Sequence, residues 1–246
     1  MMAKSFEITK DLLEKLQKVE LEMLIEVDRI CRKNNIKYSI MYGTLLGAVR
    51  NGGFIPWDDD CDVVFKRDEY EKFFEACKKD LDASRFFLQE HRTDPHYLFG
   101  YGKLRRKNTV FKRKGQGHVK QRDGIFMDLF IYDNIPDGTI GRLLNKFELY
   151  VIRNALNSEI FKYTSYSSFK RLFYRILDLI PKDRLFDRLD RIQKNTTQRI
   201  RNCQESIHGG LRIMRFSGIP TNYMMIYVSW NLRDINFWLQ NILKNS

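Results

Sequence analysis

A net charge of +12 over 246 residues goes with 43% hydrophobic and 13% aromatic content, which excludes intrinsic disorder despite 30% charged side chains. The length suits one elaborated domain or two small ones and is enough to bury a core without staples. Five prolines exclude a polyproline or collagen-like chain, and four cysteines with no C-x-x-C and no histidine at finger spacing predict reduced thiols rather than a disulfide framework or a zinc site.

The chain opens Met-Met-Ala-Lys and runs into a charged helix, which predicts no signal peptide. The longest charge-free run, 216–232, contains Pro220 and several polar residues and is short of a membrane helix. A cytoplasmic protein, soluble or peripheral at the membrane, is expected. Residues 1–138 carry 25 basic and 23 acidic side chains, whereas residues 139–246 carry 18 and 8, so the second half supplies most of the positive field. That field suits a phosphate ligand, a nucleic acid or an anionic membrane surface, and equally a solvated helical surface.

Leu12, Leu16, Val19, Met23, Val27 and Ile30 recur at helical steps and predict an amphipathic helix over 9–33 with Thr9 as N-cap. A strand over 37–42 follows, then a turn at Gly43 into a short helix over 44–50. Asn51-Gly52-Gly53 is a turn signal. A strand is predicted over 60–65 and a helix through Tyr70, Phe73, Phe74, Cys77 and Leu81. Further strands are expected over 86–90, 97–105, 109–112 and 124–131. From Ile140 the pattern is helical: one helix opens with Leu143, Leu144 and Phe147, one runs through Phe169, Leu172, Phe173, Ile176 and Ile180 to be stopped by Pro181, and one carries Leu185, Leu189 and Ile192. The order predicts an α+β fold, a mixed sheet with flanking helices plus a helical C-terminal part. A catalytic sheet domain over 1–138 followed by a helical part over 139–246 is the simplest division.

Chemistry concentrates in Asp58-Asp59-Asp60-Cys61-Asp62, four carboxylates in five positions. On a strand, Asp58, Asp60 and Asp62 share a face at about 6.7 Å steps. Like charges that close repel, and a divalent cation removes the repulsion; hard oxygen ligands favour Mg²⁺ or Mn²⁺. The apolar flanks, Phe54-Ile55-Pro56-Trp57 and Val63-Val64-Phe65, place the cluster at the edge of a core rather than in an open acidic turn. Gly43-Thr44 closes a strand and opens a helix, a turn that presents N–H groups to a phosphate or serves as a plain structural corner. A glycine turn with a small hydroxyl residue, followed by D-x-D on the next strand, is the pattern of nucleotidyltransferase-type phosphoryl-transfer folds.

The run Gly43-Thr44-Leu45-Leu46-Gly47-Ala48-Val49-Arg50, continued by Gly53-Phe54-Ile55-Pro56-Trp57-Asp58-Asp59-Asp60 and Asp62, resembles the signature of the LicD family, which includes bacterial phosphorylcholine transferases and the fukutin-related proteins. Lys103-Leu104-Arg105 and Gly124-Ile125-Phe126-Met127-Asp128-Leu129-Phe130, with Asp133 beyond, extend the likeness over residues 10–138, and loosely to about 195. The resemblance implies a nucleotidyltransferase-like fold. It also implies a metal-dependent transfer from a CDP-activated donor (CDP-choline, CDP-glycerol or CDP-ribitol) to a hydroxyl of a glycan or glycolipid acceptor such as lipopolysaccharide, teichoic acid or capsule, with release of CMP. Carried onto this chain, Asp60 and Asp62 become the metal pair, Asp128 the third carboxylate and Asp58 a further ligand. Phosphoryl transfer needs charge neutralisation and positioning, and a third carboxylate orients or deprotonates the acceptor. Gly43, Thr44, Arg50, Lys103 and Arg105 are the phosphate-binding candidates. For each cation the plainer role is a surface charge, and for Asp128 a buried pair with an arginine.

Residues 103–122 carry nine basic side chains and no acidic one, the composition of a mobile loop over the site, of an anion-facing patch or of a solvated loop. Beyond about 195 the likeness stops: His208-Gly209-Gly210 and a Trp-, Tyr- and Met-rich end depart from it. That end keeps an inactive remnant as an alternative, and the net charge of +12 with polymerase-like carboxylates keeps a nucleic-acid-modifying or binding protein as another, although no recognisable RNA-binding module appears and no nucleic-acid partner is expected.

Overall fold

The computed structural model describes residues 9–113, 116–134, 136, 138–198, 203–206 and 219–220, the last six and residues 195–198 by backbone alone. His208-Gly209-Gly210 and most of the tail lie outside the described residues.

Helix α1, Lys10–Lys33, starts where Thr9 caps it, its hydroxyl accepting from the Leu12 N–H at 3.4 Å, and ends at Asn34. Its buried face includes Leu16, Met23, Val27 and Ile30 of the expected stripe, widened by Leu13, Glu20, Leu21 and Leu24; Val19 is partly buried and Leu12 is exposed. Strand β1 is only Ser39–Ile40, not 37–42. The extended run is cut short because Tyr42 takes φ 50° and opens helix α2, Tyr42–Asn51, so the corner lies at Tyr42 rather than at Gly43. Gly52, at φ 65°, is the left-handed C-cap of α2.

Strand β2, Asp62–Lys66, leads directly into helix α3, Arg67–Asp80. Strands β3, Phe86–Gln89, and β4, Gly102–Arg106, form an antiparallel pair. Residues 97–101 are a turn-held aromatic loop and not the first half of β4; the strand begins at Gly102, where an added Cβ would lie 2.3 Å from the Tyr70 hydroxyl. Residues 109–112 form no strand. Asn108 turns the chain at φ 60°, and the Thr109 hydroxyl donates to Arg106 O at 2.7 Å and accepts from Ile125 N at 2.9 Å, which makes a corner. Strand β5, Phe126–Asn134, lies at the centre of the sheet.

The sheet order is β1-β2-β5-β4-β3, with β2 parallel to β5 and the other pairs antiparallel. The chain is thus a mixed α+β fold, as the order of elements implies. The main core lies between the sheet and helices α1 and α3, and includes Met23, Leu24, Val27, Ile30, Phe65, Phe73, Leu104 and Met127. Cys31, Cys61 and Cys77 are free and buried in it.

The second half is helices α4, Thr139–Leu156, α5, Ser158–Thr164, α6, Ser168–Leu177, and α7, Lys182–Gln198. Helix α5 has no counterpart in the periodicity. Helix α6 ends four residues ahead of Pro181, where the backbone tightens to three-residue bonds, Leu179 N–H to Ile176 O and Ile180 N–H to Leu177 O, each at 3.2 Å. Ile152, Ala155, Leu156, Leu185, Phe186, Leu189 and Ile192 form a second core between α4 and α7. The half returns to the sheet twice: His91 stacks on Phe186 at 4.4 Å, and strand β6, Cys203–Ser206, pairs with the end of β5 and with β7, Ile219–Pro220. Among the described residues no helix is long and apolar enough to cross a membrane.

Candidate active site

Three strands bring three charged residues into one row. Asp62 on β2 is the register partner of Asp128 on β5, and Asp128 is the partner of Lys103 on β4. Register partners on adjacent strands share a face about 5 Å apart, and all three side chains are buried. Two carboxylates side by side with one cation leave negative charge in excess. The Asp62 carboxyl is accordingly pushed up to about 8, by burial first and then by Asp60 and Asp128, with Lys103 opposing. Lys103 donates from Nζ to Asp128 Oδ1, and burial draws its ammonium down to about 8 against the pull of Asp128. The Asp128 partner is therefore a lysine, not an arginine, and Lys103 also lies over the Phe126 ring at 3.6 Å.

The acidic turn sits over this row. Asp58 and Asp60 lie in the loop before β2, which starts only at Asp62, so loop packing places them rather than strand parity. Gln17 of α1 holds the loop by donating to Ile55 O at 3.0 Å and Asp58 O at 2.9 Å. Gly43 gives it room: a Cβ there would lie 2.2 Å from Asp58 Oδ2. Gly47 does the same one turn later, where a Cβ would come within 2.5 Å of Gly53 O. The Thr44 hydroxyl is occupied, accepting from the Asp62 N–H at 2.8 Å, so it ties α2 to β2. Burial, then Asp58, Asp59 and Asp128, raise the Asp60 carboxyl to about 6, while Arg113 opposes.

Glu20 is a member of this group that the sequence reading passed over. It lies on the buried face of α1, its Oε2 has no hydrogen-bond partner among the described residues, and its carboxyl is pushed up to about 9 by burial and by Asp60, Asp59, Asp58 and Asp62. Its signal was a glutamate four residues from both Leu16 and Leu24, in the middle of an apolar stripe.

The remaining candidates are spread. Arg105 shares the Lys103 face of β4 but turns inward, donating to Gln89 Oε1 and, at 2.7 Å, to Gly124 O. Arg50 is exposed, bonds Asn51 Oδ1 at 2.9 Å and sits 5.8 Å from the Trp57 ring, apart from the carboxylate row. Asp133 is committed to Arg67 through two bonds of 2.8 Å. The basic run 103–122 finds counter-charges elsewhere in the chain: Arg106 on Glu22 at 3.3 Å and Lys112 on Asp123 at 3.1 Å. Lys103, Arg105, Lys112 and Arg113, with Phe126 and Asp123, line a small recess of about 50 Å³ beside the carboxylates. Among the described residues no three His, Cys, Asp or Glu side chains converge at liganding distance.

Residues 35–140 match the family described as LicD/FKTN/FKRP, nucleotidyltransferase domain. The chain is 32% identical over 131 residues to the lipopolysaccharide cholinephosphotransferase LicD of Haemophilus influenzae, an alignment covering 51% of this chain and 46% of that protein. It is 38% identical over 77 residues to an uncharacterised protein of Rickettsia prowazekii, covering 24% of this chain and 29% of the other. A Rickettsia typhi protein, also uncharacterised, is 49% identical over 49 residues, which is 20% of this chain and 16% of that one. The chain thus spans less than half the length of these relatives. The matched family segment contains all of the carboxylate row, the acidic turn and helix α2.

Proposed function

We propose, from the match of residues 35–140 to the LicD family, that the protein is a phosphotransferase that moves phosphocholine, or a related polyol phosphate, from a CDP-activated donor to a hydroxyl of a cell-surface glycan such as lipopolysaccharide, releasing CMP. The observation that carries this reading is the buried pair Asp62–Asp128 under the acidic turn, with its excess negative charge beside a cation-lined recess.

A divalent cation, Mg²⁺ or Mn²⁺, suits these residues. Its site is made of hard carboxylate oxygens, and the carboxyls of Asp60 and Asp62 are held above their ordinary range by burial first and then by the neighbouring aspartates, a crowding that a cation would relieve. Two protein carboxylates suffice, since Mg²⁺ is commonly held by one or two carboxylates together with substrate phosphates. Asp60 and Asp62 would hold it, with Asp58 at the rim; when bound it would supply charge neutralisation for the donor pyrophosphate.

The chain's own residues do the rest. Lys103 fixes the Asp128 carboxylate through one oxygen, leaving the other to orient the acceptor hydroxyl or take its proton. Arg113 and Lys112 line the recess as the cations facing the donor phosphates, and Arg105 braces the recess wall through Gln89 and Gly124. Thr44 fixes the Asp62 backbone, and Gly43 admits the Asp58 carboxylate. A nucleotide-activated donor places the reaction on the cytoplasmic side.

The test is CMP release from CDP-choline, CDP-glycerol and CDP-ribitol with a glycan acceptor and Mg²⁺ or Mn²⁺. One donor should be turned over, and Asp60→Asn and Asp62→Asn should each abolish turnover while the circular dichroism stays that of the parent. Wild-type turnover by either variant would overturn the assignment of the pair.

A further inference from the structure

Helices α4 and α6 each hold an apolar stripe outward. On α4 it is Ile140, Leu143, Leu144 and Phe147, each at least 63% exposed; on α6 it is Phe169, Leu172, Phe173 and Ile176, each at least 49% exposed. Both follow the i, i+3, i+4, i+7 spacing of a single helix face. Helix α6 buries no residue at all. It is held to its neighbours by its Tyr174 flank, where the hydroxyl donates to Asn154 Oδ1 of α4 at 3.2 Å and the ring lies 5.1 Å from Phe161 of α5. Two open apolar stripes on packed helices are more than a soluble protein leaves to water without use, and short helices draw most of their stability from covering such a face.

Charge selects what covers it. Residues 139–180 carry seven basic and three acidic side chains. One of the acids, Asp178, is already bonded to Lys162 at 2.5 Å and Lys182 at 3.2 Å. Lys170, Arg171 and Arg175 occupy the other sides of α6, exposed and with no carboxylate within 4 Å among the described residues. At the α5–α6 corner Tyr163 and Tyr166 are exposed, rings with one apolar and one wet end. Apolar residues on one face and Lys/Arg on the others, in a helix too short to span, describe an element that lies in the plane of an anionic lipid surface. A second copy of the chain would set one basic face against another. Residues 207–246 carry four basic and one acidic side chain, so they bring no counter-charge either.

We propose that the α4/α6 face docks on an anionic phospholipid membrane, with Phe169, Leu172, Phe173 and Ile176 at the acyl boundary and Lys170, Arg171 and Arg175 among the headgroups. The proposal rests on this face alone and stands or falls separately from the transfer reaction.

The experiment is co-sedimentation of the full chain with vesicles of phosphatidylcholine, alone or mixed with phosphatidylglycerol. Binding is expected on the mixed vesicles, falling as salt is raised, and at least about tenfold weaker on phosphatidylcholine alone. Phe169→Ser with Phe173→Ser, and separately Lys170→Glu with Arg171→Glu, should each weaken it by about tenfold or more with the lipid-free melting temperature unchanged. Equal binding to both vesicle types, no binding to either, or charge-reversed protein that still binds overturns the proposal. So does a dimer in light scattering that the double serine variant splits, which identifies a second copy as the occupant. A lipid-free melting temperature lowered by the serine pair shows that the chain itself covers the stripe, with the same consequence. If the serine pair fails to fold, the charge-reversed pair decides.

Discussion

Lys103 and Asp128 are direct partners across the β4–β5 ladder, and their buried ion pair lies beside Asp62, the partner of Asp128 on the other side. One ammonium therefore serves two carboxylates. The arrangement is asymmetric: removing the cation leaves two buried acids facing each other, whereas removing Asp128 leaves Lys103 with Asp62 to turn to.

Lys103→Met should accordingly destabilise the metal-free protein by about 3–5 kcal/mol, the usual cost of breaking a buried pair. Asp128→Asn should cost less. Urea unfolding in chelator measures both, and added Mn²⁺ should recover more stability in Lys103→Met than in the parent. Equal losses for the two variants would contradict the shared-cation arrangement.

The pH dependence follows from Asp62. Its carboxyl is raised from 3.8 to about 8, so the folded state binds the extra proton between those values. The stability it contributes is complete below about pH 4 and is lost as pH rises through about 8. In chelator, the parent minus Asp62→Asn difference in unfolding free energy should fall steadily across that window. A divalent cation, which binds the deprotonated form, should raise the melting temperature more at pH 8 than at pH 6. A difference that stays flat between pH 5 and 8 would remove the excess-charge account.

Gly43 and Gly47 offer a paired test. An alanine at 43 meets the far end of a flexible side chain, Asp58 Oδ2, whereas one at 47 meets backbone at Gly53 and Ile55. Gly47→Ala should cost about 1–3 kcal/mol of stability, as overpacking does. Gly43→Ala should unfold near the parent midpoint and instead displace Asp58, lowering turnover by tenfold or more if the rim carboxylate takes part. Thermal melts and CMP release read the two effects separately.

Glu20→Gln replaces a buried acid whose carboxyl is pushed up to about 9 by a neutral group of the same shape. At pH 7 it should leave stability within about 1 kcal/mol of the parent, because the parent side chain is already neutral there. Above pH 9 the variant should be the more stable of the two. A large loss at pH 7 would mean that the Glu20 side chain is ionised in the fold.

Much of the fold was legible because its signals are local. The Thr9 cap, the Gly52 turn and the apolar spacing of α3, α4 and α7 are each set by neighbours within a few residues. The errors come where a distant partner decides. Residues 109–112 read as a strand by composition but are folded into a corner by the Thr109 hydroxyl and Ile125. Tyr97 to Tyr101 alternate like a strand, yet their rings pack on one another, Tyr97 on Phe99 at 5.3 Å and Phe99 on Tyr101 at 5.6 Å. In the site, Asp60, Asp62 and Asp128 were visible as carboxylates with apolar neighbours, but their meeting depends on a parallel pairing of strands more than sixty residues apart. Strand parity correctly put Lys103 and Arg105 on one face and could not say that both would be spent inside the protein.

Strand β5 has one further property. Its first half pairs with β4 as far as Leu129, and its last residues, Tyr132 to Asn134, pair with β6. The strand that carries Asp128 is therefore held at its far end by a segment arriving from some seventy positions later in the chain. A ribosome that has released only the first two hundred residues has made every carboxylate of the site but not the strand that closes this stretch of β5. Until β6 emerges, the edge of β5 that β6 covers over Tyr132 to Asn134 stays open to any other extended chain. Shortened versions of the gene that end before residue 203 should for that reason yield insoluble product even though they encode the whole family-matched segment.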